Sequence, residues 1–100
     1  MSEPQPMVFN KEEDENIIKV TKAMSSATRF RIVVLLFSEE MDISTIAERL
    51  QQTEANVSAQ VKQLERANLV TSRYTPGEHG VRKICKTAIT SLTINIADQA

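Results

Sequence analysis

The sequence predicts a mainly α-helical fold that ends in a small antiparallel sheet, an α+β arrangement in one domain of 100 residues. Three observations predict it. Apolar residues recur at helical spacing in several segments between residues 11 and 67. The last two of these segments are joined by only Gln51 to Thr53. After Asn68 the apolar period becomes two, as in strands, and turn residues interrupt it at 76–80.

The N-terminal segment, residues 1–10, contains two prolines and little to bury, and it is expected to be a flexible tail. The first helix is expected to begin near Lys11. Asn10 is suited to cap it, and Glu13 stands at the reciprocal position of a capping box. The acidic run after Lys11 places negative charge at the positive end of the helix dipole, which favours a helix start there.

The second helix is expected to follow Ser25 and Ser26, which interrupt the helical pattern and cap what comes next. Residues 30–37 are apolar almost all round the helix circumference. Such a helix is typical of the centre of a core. Met41 to Ile43 then has the character of a short extended link or edge strand.

Two short helices follow at close quarters. Ser44 is the expected N-cap of a helix that ends at Leu50, and Thr53 is the expected N-cap of a helix over residues 54–67. Helices joined by so short a connection cross steeply, which is the helix-turn-helix arrangement. Asn68 tolerates the left-handed conformation and is expected to end the last helix.

The remaining residues have the pattern of strands. Residues 69–75 and 81–86 are expected to pair as a hairpin around a five-residue loop, 76–80. A third strand is expected from Ile89 to Ile96, where apolar residues alternate with Thr and Ser; a short helix is the weaker alternative.

The net charge of −1 conceals an uneven distribution. Residues 1–16 hold five acidic side chains and one lysine, a net of −4, which leaves +3 on residues 17–100. Within residues 71–86, four cations stand against one glutamate, again +3. A local basic segment attracts phosphate, although a merely solvated charged face has the same composition.

Several function classes are disfavoured. Cys85 is the single cysteine, so no intramolecular disulfide forms, and its separation from His79 along a hairpin argues against a shared metal. Cys85 is expected to be a small residue that packs in the core. No nucleophile elbow or Gly-rich phosphate loop is present, so neither an enzyme nor a cofactor is expected. The longest apolar run, residues 32–37, is too short to span a membrane, and a cytoplasmic protein is expected.

A family resemblance adds to this interpretation. Four stretches carry it: SSATRFRIVVLLF, DISTIAERL, VSAQVKQLERANLV and YTPGEHGVRKIC. Over roughly residues 16–86 the chain resembles the ArsR-type winged helix-turn-helix regulators. Within this stretch, Ser26 to Arg29 resembles the Ser-x-x-Arg sequence with which the central helix of that family opens. The resemblance implies about four helices, a β-hairpin wing and, here, a C-terminal strand. The chain departs from the family at Gln51-Gln52-Thr53, where Gly-Leu-Ser is usual, and at Ala59, where Arg is frequent.

The residue patterns and the resemblance together divide the chain into three expected parts: a tail at 1–10, a winged helix-turn-helix DNA-binding domain at 11–86, and an extension at 87–100 that is expected to form a strand for dimerisation. It implies a double-stranded DNA-binding transcription regulator, a homodimer acting as a repressor, with no effector indicated. The dimer contact is expected from apolar residues of the first helix and the last strand: Ile17, Ile18, Met24, Leu92, Ile94 and Ile96.

The recognition helix, 54–67, is expected in the major groove and the wing, 70–86, on the DNA backbone. Amides can pair with adenine, whereas hydroxyls and cations more often hold phosphates. The residues expected to touch DNA are Thr53, Ala55, Asn56, Ser58, Gln60, Lys62, Gln63, Arg73, His79, Arg82 and Lys83. The main alternative is a winged-helix module for protein contact that does not bind DNA, and a redox or metal sensor depends on Cys85 alone.

Overall fold

The computed structural model describes residues 3–98, in which four helices and five strands are found. The helices are α1 (Asp14–Met24), α2 (Ala27–Ser38), α3 (Ile43–Leu50) and α4 (Glu54–Arg66). The strands are β1 (Gln5–Asn10), β2 (Met41–Asp42), β3 (Val70–Gly77), β4 (Gly80–Thr87) and β5 (Ile89–Asn95). The predicted architecture of four helices, a hairpin and a C-terminal strand is confirmed. None of the helices within residues 3–98 is long and apolar enough to cross a membrane.

The wing is a three-stranded antiparallel sheet in the order β2-β4-β3. The link at Met41 and Asp42 pairs with β4 as an edge strand. The predicted five-residue loop is wrong, because the two long strands continue until Gly77 pairs with Gly80. A side chain at Gly77 would lie 2.7 Å from Cγ of Arg82, so this glycine lets the Arg82 side chain cross the strand closely.

A second prediction, that of a flexible N-terminal tail, is wrong. Residues 5–10, expected to belong to a flexible tail, form β1 and pair in parallel with β5. Met7 and Phe9 alternate along β1 and pack against the core, which is what holds the strand in place. Residues 1–2 of the expected tail and 99–100 of the C-terminal extension lie outside the described residues.

The start of the first helix also differs from the prediction. Glu13, not Asn10, is the N-cap of α1, which begins at Asp14. The reciprocal bond of the capping box is nevertheless present, because the Glu13 carboxylate accepts a hydrogen bond of 2.8 Å from the backbone N–H of Asn10. Residues 10–13 therefore form a turn that joins β1 to the helix, rather than its first turn.

The remaining helix ends are set by local hydrogen bonds. Ser26 caps α2 and Thr53 caps α4, as predicted. The N-cap of α3 is Asp42, two residues before the expected Ser44, because the Asp42 carboxylate accepts a hydrogen bond of 2.8 Å from the N–H of Thr45. Left-handed conformations end α3 and follow α4: Gln51 (φ 55°) and Asn68 (φ 62°).

The core lies between the four helices and the sheet. Its largest fully buried side chains include Ile32, Leu36, Ile46, Val57, Val61, Leu64 and Leu69. The prediction that α2 is buried all round is wrong, because its other side faces outward. Phe30, Val34 and Phe37 are 50, 54 and 62% exposed, and with Met24 and Leu92 they border a groove of about 290 Å³. We call these five residues the apolar face.

Candidate nucleic-acid interface

Helix α4, which was expected to recognise DNA, lies on the surface with one side in the core. Val57, Val61 and Leu64 are fully buried, as predicted. With 3.6 residues per turn, positions four, seven and eleven apart fall on one stripe of a helix. The outward stripe of α4 is therefore made of the exposed residues Ala55, Ala59, Lys62 and Arg66.

The amides that were expected to read bases lie on one flank of this stripe and are half-buried. Gln60 donates from Nε2 to Oδ1 of Asn56 at 3.2 Å, and Asn56 donates from Nδ2 to Oε1 of Gln52 at 2.9 Å. Nη1 of Arg29 donates to Oε1 of Gln60 at 2.7 Å. These two amides thus have partners within the protein.

Arg29 also holds the end of α1. Its Nε donates to the carbonyl oxygen of Ala23 at 2.7 Å, and its Nη2 donates to that of Lys22 at 3.3 Å. One side chain therefore joins the last turn of α1 to the middle of α4. Arg29 was not among the expected site residues, although it stands in the Ser-x-x-Arg stretch that carried the family resemblance.

The opposite flank of α4 meets the wing through an ion pair. Nζ of Lys83 lies 2.7 Å from Oε1 of Glu65, and the Lys83 side chain is only 14% exposed. Burial lowers the pKa of Lys83, but the hydrogen bond and the charge of Glu65 outweigh burial, so the pKa is raised. Lys83 is thus a charged side chain held against α4.

The other expected wing cations are paired as well. Nη2 of Arg82 lies 2.9 Å from Oδ2 of Asp42, and Arg73 pairs with Glu40. Hydrogen bonds from Thr45 lower the pKa of Asp42, and the charge of Arg82 lowers it further. The local excess of positive charge is therefore offset by carboxylates that are distant in sequence, which a count over neighbouring residues does not detect.

The remaining expected contacts lie on α4, at its N-cap and in the hairpin turn. Ala55, Lys62 and Gln63 are exposed on α4, and Ser58 is half-buried. The hydroxyl of Thr53 accepts a hydrogen bond of 3.1 Å from the N–H of Asn56 as the helix cap. His79 is exposed in the hairpin turn.

The structure does not bring Cys85 to the site. Cys85 is fully buried in β4, opposite Met41 of β2 and Ser72 of β3, whereas His79 is at the tip of the hairpin. Burial raises the pKa of the Cys85 thiol. Within residues 3–98, His, Cys, Asp and Glu side chains form no group of three or more that could hold a metal ion.

A cleft of about 250 Å³ separates α1 from α4. We call it the basic cleft, since its lining includes Lys19 and Lys22 of α1, Arg29 of α2, and Gln63 and Arg66 of α4. Among residues 3–98, no carboxylate forms an ion pair with any of these four cations. Sequence reasoning missed Arg66, although its spacing of four from Lys62 places both on the outward stripe.

Comparison with known proteins gives one family and a set of similar folds. Residues 26–72, from the N-cap of α2 into β3, match the family described as bacterial regulatory protein, arsR family. None of the curated proteins compared with the sequence matches it significantly.

Solved structures share the architecture. HlyU from Vibrio cholerae has a TM-score of 0.67 at 21% identity, over 80% of this chain and 83% of that chain. NolR from Sinorhizobium fredii has a TM-score of 0.67 at 23% identity, over 79% and 75%. The homodimeric winged helix-turn-helix DNA-binding domain of Mb0332 from Mycobacterium bovis has a TM-score of 0.66 at 26% identity, over 74% and 65%.

Proposed function

We propose that this chain, whose residues 26–72 match the arsR family of bacterial regulatory proteins, is a regulator that binds double-stranded DNA sequence-specifically and represses transcription in the cytoplasm. The recognition helix, 54–67, enters the major groove, and the wing, 70–86, lies against the backbone. The observation that supports this most directly is the outward stripe of α4, which is solvent-exposed and carries Lys62 and Arg66 without an ion pair among the described residues.

The composition of the stripe fits close approach to base edges. The major groove is about 12 Å wide and admits one helix. Ala55 and Ala59 project little from α4, so its backbone can lie deep in the groove, and alanine methyl groups suit contact with thymine methyl groups. Asn56, Gln60 and Gln63 flank the stripe, where an amide can exchange a protein partner for a base.

We propose that the regulator is a homodimer. A dimer presents two recognition helices to half-sites about one helical turn apart. The apolar face supports this, since three large apolar side chains of α2 are at least half exposed there, and the similar domain of Mb0332 is described as homodimeric. Repression follows if the dimer covers DNA that the transcription machinery must occupy.

The test is binding of the intact chain to fragmented genomic DNA at graded salt, followed by sequencing of the retained fragments. Phosphate contacts release counterions, so affinity should fall steeply as salt rises, and a common sequence should be enriched. Arg31→Gln removes an exposed α2 cation outside the basic cleft and serves as a control for charge alone. Absence of DNA binding even at low salt would contradict the proposal and favour a winged-helix module for protein contact.

A further inference from the structure

We infer that the basic cleft between α1 and α4 is a binding site for the phosphate backbone of DNA, and that it supplies more of the phosphate contacts than the wing does. The inference rests on the proposed function, because it concerns how the same DNA is held. It assigns a role to Lys19, Lys22 and Arg66, none of which was expected to touch DNA from the sequence.

The first step is the position of the cleft. A helix in the major groove has a sugar-phosphate backbone on each side of it. On one flank of α4, Glu65 accepts a hydrogen bond from Lys83 of the wing. On the other flank, Gln60 is bonded to Arg29, and Gln63 lines the basic cleft. The outward stripe lies between the wing and the cleft, so each of them faces one of the two backbones.

The second step is the charge available on each side. On the wing, the cations Arg73, Arg82 and Lys83 are each held by a carboxylate of the same chain. A phosphate that approaches them meets Glu40, Asp42 and Glu65 as well, and those carboxylates repel it. A phosphate contact with the wing must break an existing ion pair, so the net gain in binding free energy is small.

The cleft side differs. Lys19, Lys22 and Arg66 are exposed and form no ion pair with a carboxylate of residues 3–98. The partners of the Arg29 guanidinium are two carbonyl oxygens and an amide oxygen, none of which neutralises its charge. Four cations around a cleft of about 250 Å³ form a pocket of unbalanced positive charge beside the recognition helix. Arginine and lysine are the side chains that most often hold phosphates.

The experiment compares the salt dependence of DNA affinity for three variants of the intact chain. Lys22→Gln with Arg66→Gln removes two cleft charges, Arg73→Gln with Arg82→Gln removes two wing charges, and Arg31→Gln is the control. The slope of log affinity against log salt should decrease by about two units for the cleft pair and by less for the wing pair. The slope of Arg31→Gln should equal that of the original chain. Lys22→Arg with Arg66→Lys should retain the slope, since both charges remain.

The outcomes separate the two proposals. If the original chain binds no DNA at low salt, the proposed function fails. If the original chain binds DNA but the cleft pair retains the full slope, or the wing pair loses more, only the cleft assignment fails. A second arm adds inorganic phosphate without DNA: a saturable shift in the NMR signals of Lys22 and Arg66 at equimolar phosphate would mean a site for a free anion and would overturn the DNA assignment.

Discussion

Arg29 and Gln60 join two helices that are far apart in the sequence, through a hydrogen bond of 2.7 Å from the guanidinium to the amide oxygen. The same guanidinium bonds to the carbonyl oxygens of Lys22 and Ala23 at the end of α1. One side chain therefore links α4 to the end of α1, in addition to the core that both helices share. Arg29 also lines the basic cleft, whose two walls are α1 and α4.

Arg29→Met should test this role, because it keeps the aliphatic stem and removes every hydrogen bond of the guanidinium. Hydrogen bonds of charged groups contribute roughly 1.5–3 kcal/mol, and we expect the free energy of unfolding in urea to fall by about that amount. Arg31→Met, at an exposed position of the same helix, should have little effect. Arg29→Lys should recover little of the lost unfolding free energy, since an ammonium group cannot donate hydrogen bonds in three directions in one plane. An equal loss for the two methionine variants would contradict the role.

Local features of the fold could be predicted because neighbouring residues determine them. Ser26 and Thr53 cap the helices that follow them, and Asn68 adopts the left-handed conformation after α4. Each depends on a hydrogen bond within three or four residues or on the backbone preference of one residue. The close succession of α3 and α4, with three residues between them, was predicted from the local sequence in the same way.

Features that depend on distant parts of the chain could not be predicted. β1 forms only because β5, more than eighty positions later, pairs with it. The cations of the wing were expected to be available to phosphate, yet the carboxylate that holds Arg82 comes from Asp42. The basic cleft combines Lys22 with Arg66 from separate helices. No short window of sequence contains any of these three relationships.

Asp42 should make the stability of the fold dependent on pH. Its carboxylate caps α3 and pairs with Arg82, and the hydrogen bonds from Thr45, followed by that pair, lower its pKa in the folded state. A lowered folded pKa means that the stabilisation is complete above the unfolded pKa of about 4 and is lost as pH falls through the folded value. Asp42→Asn keeps a capping oxygen and removes the charge.

At pH 7 we therefore expect Asp42→Asn to lose about 0.5–1 kcal/mol of unfolding free energy. The difference from the original chain should disappear as pH falls below the folded pKa. Urea denaturation at a series of pH values measures this. Glu39→Gln breaks the exposed pair with Arg49 and should cause a smaller loss. If the unfolding free energies of Asp42→Asn and the original chain differed by the same amount at every pH, the stabilisation would not come from the charge of Asp42.

Cys85 should be dispensable for DNA binding and for metal content. It is fully buried, and burial raises the pKa of its thiol, so the reactive thiolate is scarce at neutral pH. Alkylation by iodoacetamide should be slow in the folded chain and fast in urea, as followed by mass spectrometry. Cys85→Ser places a more polar hydroxyl in a fully buried site and should lower stability by about 1–3 kcal/mol without changing DNA affinity. A stoichiometric zinc or copper ion that is lost on this replacement would contradict the packing role.

The apolar face should be the contact between two copies of the chain. Its sequence pattern predicted a helix buried all round, whereas one chain buries only Ile32, Val33 and Leu36 and leaves Phe30, Val34 and Phe37 exposed. A second copy on this face would remove the exposed side chains from water, at about 25 cal/mol for each Å² of apolar area. The apolar pattern of α2 would then be satisfied in the dimer rather than in the single chain.

Val34→Glu places a charge in the middle of this face, and desolvation of an unpaired carboxylate opposes association. We expect the original chain to sediment as a dimer and Val34→Glu as a monomer, with unchanged helix content by circular dichroism. Val81→Glu alters a more exposed apolar residue, in β4, and should remain dimeric. The monomer presents one recognition helix instead of two, so its affinity for a two-fold symmetric site should also fall. A monomeric original chain, or a Val34→Glu variant that remains dimeric, would place the contact elsewhere.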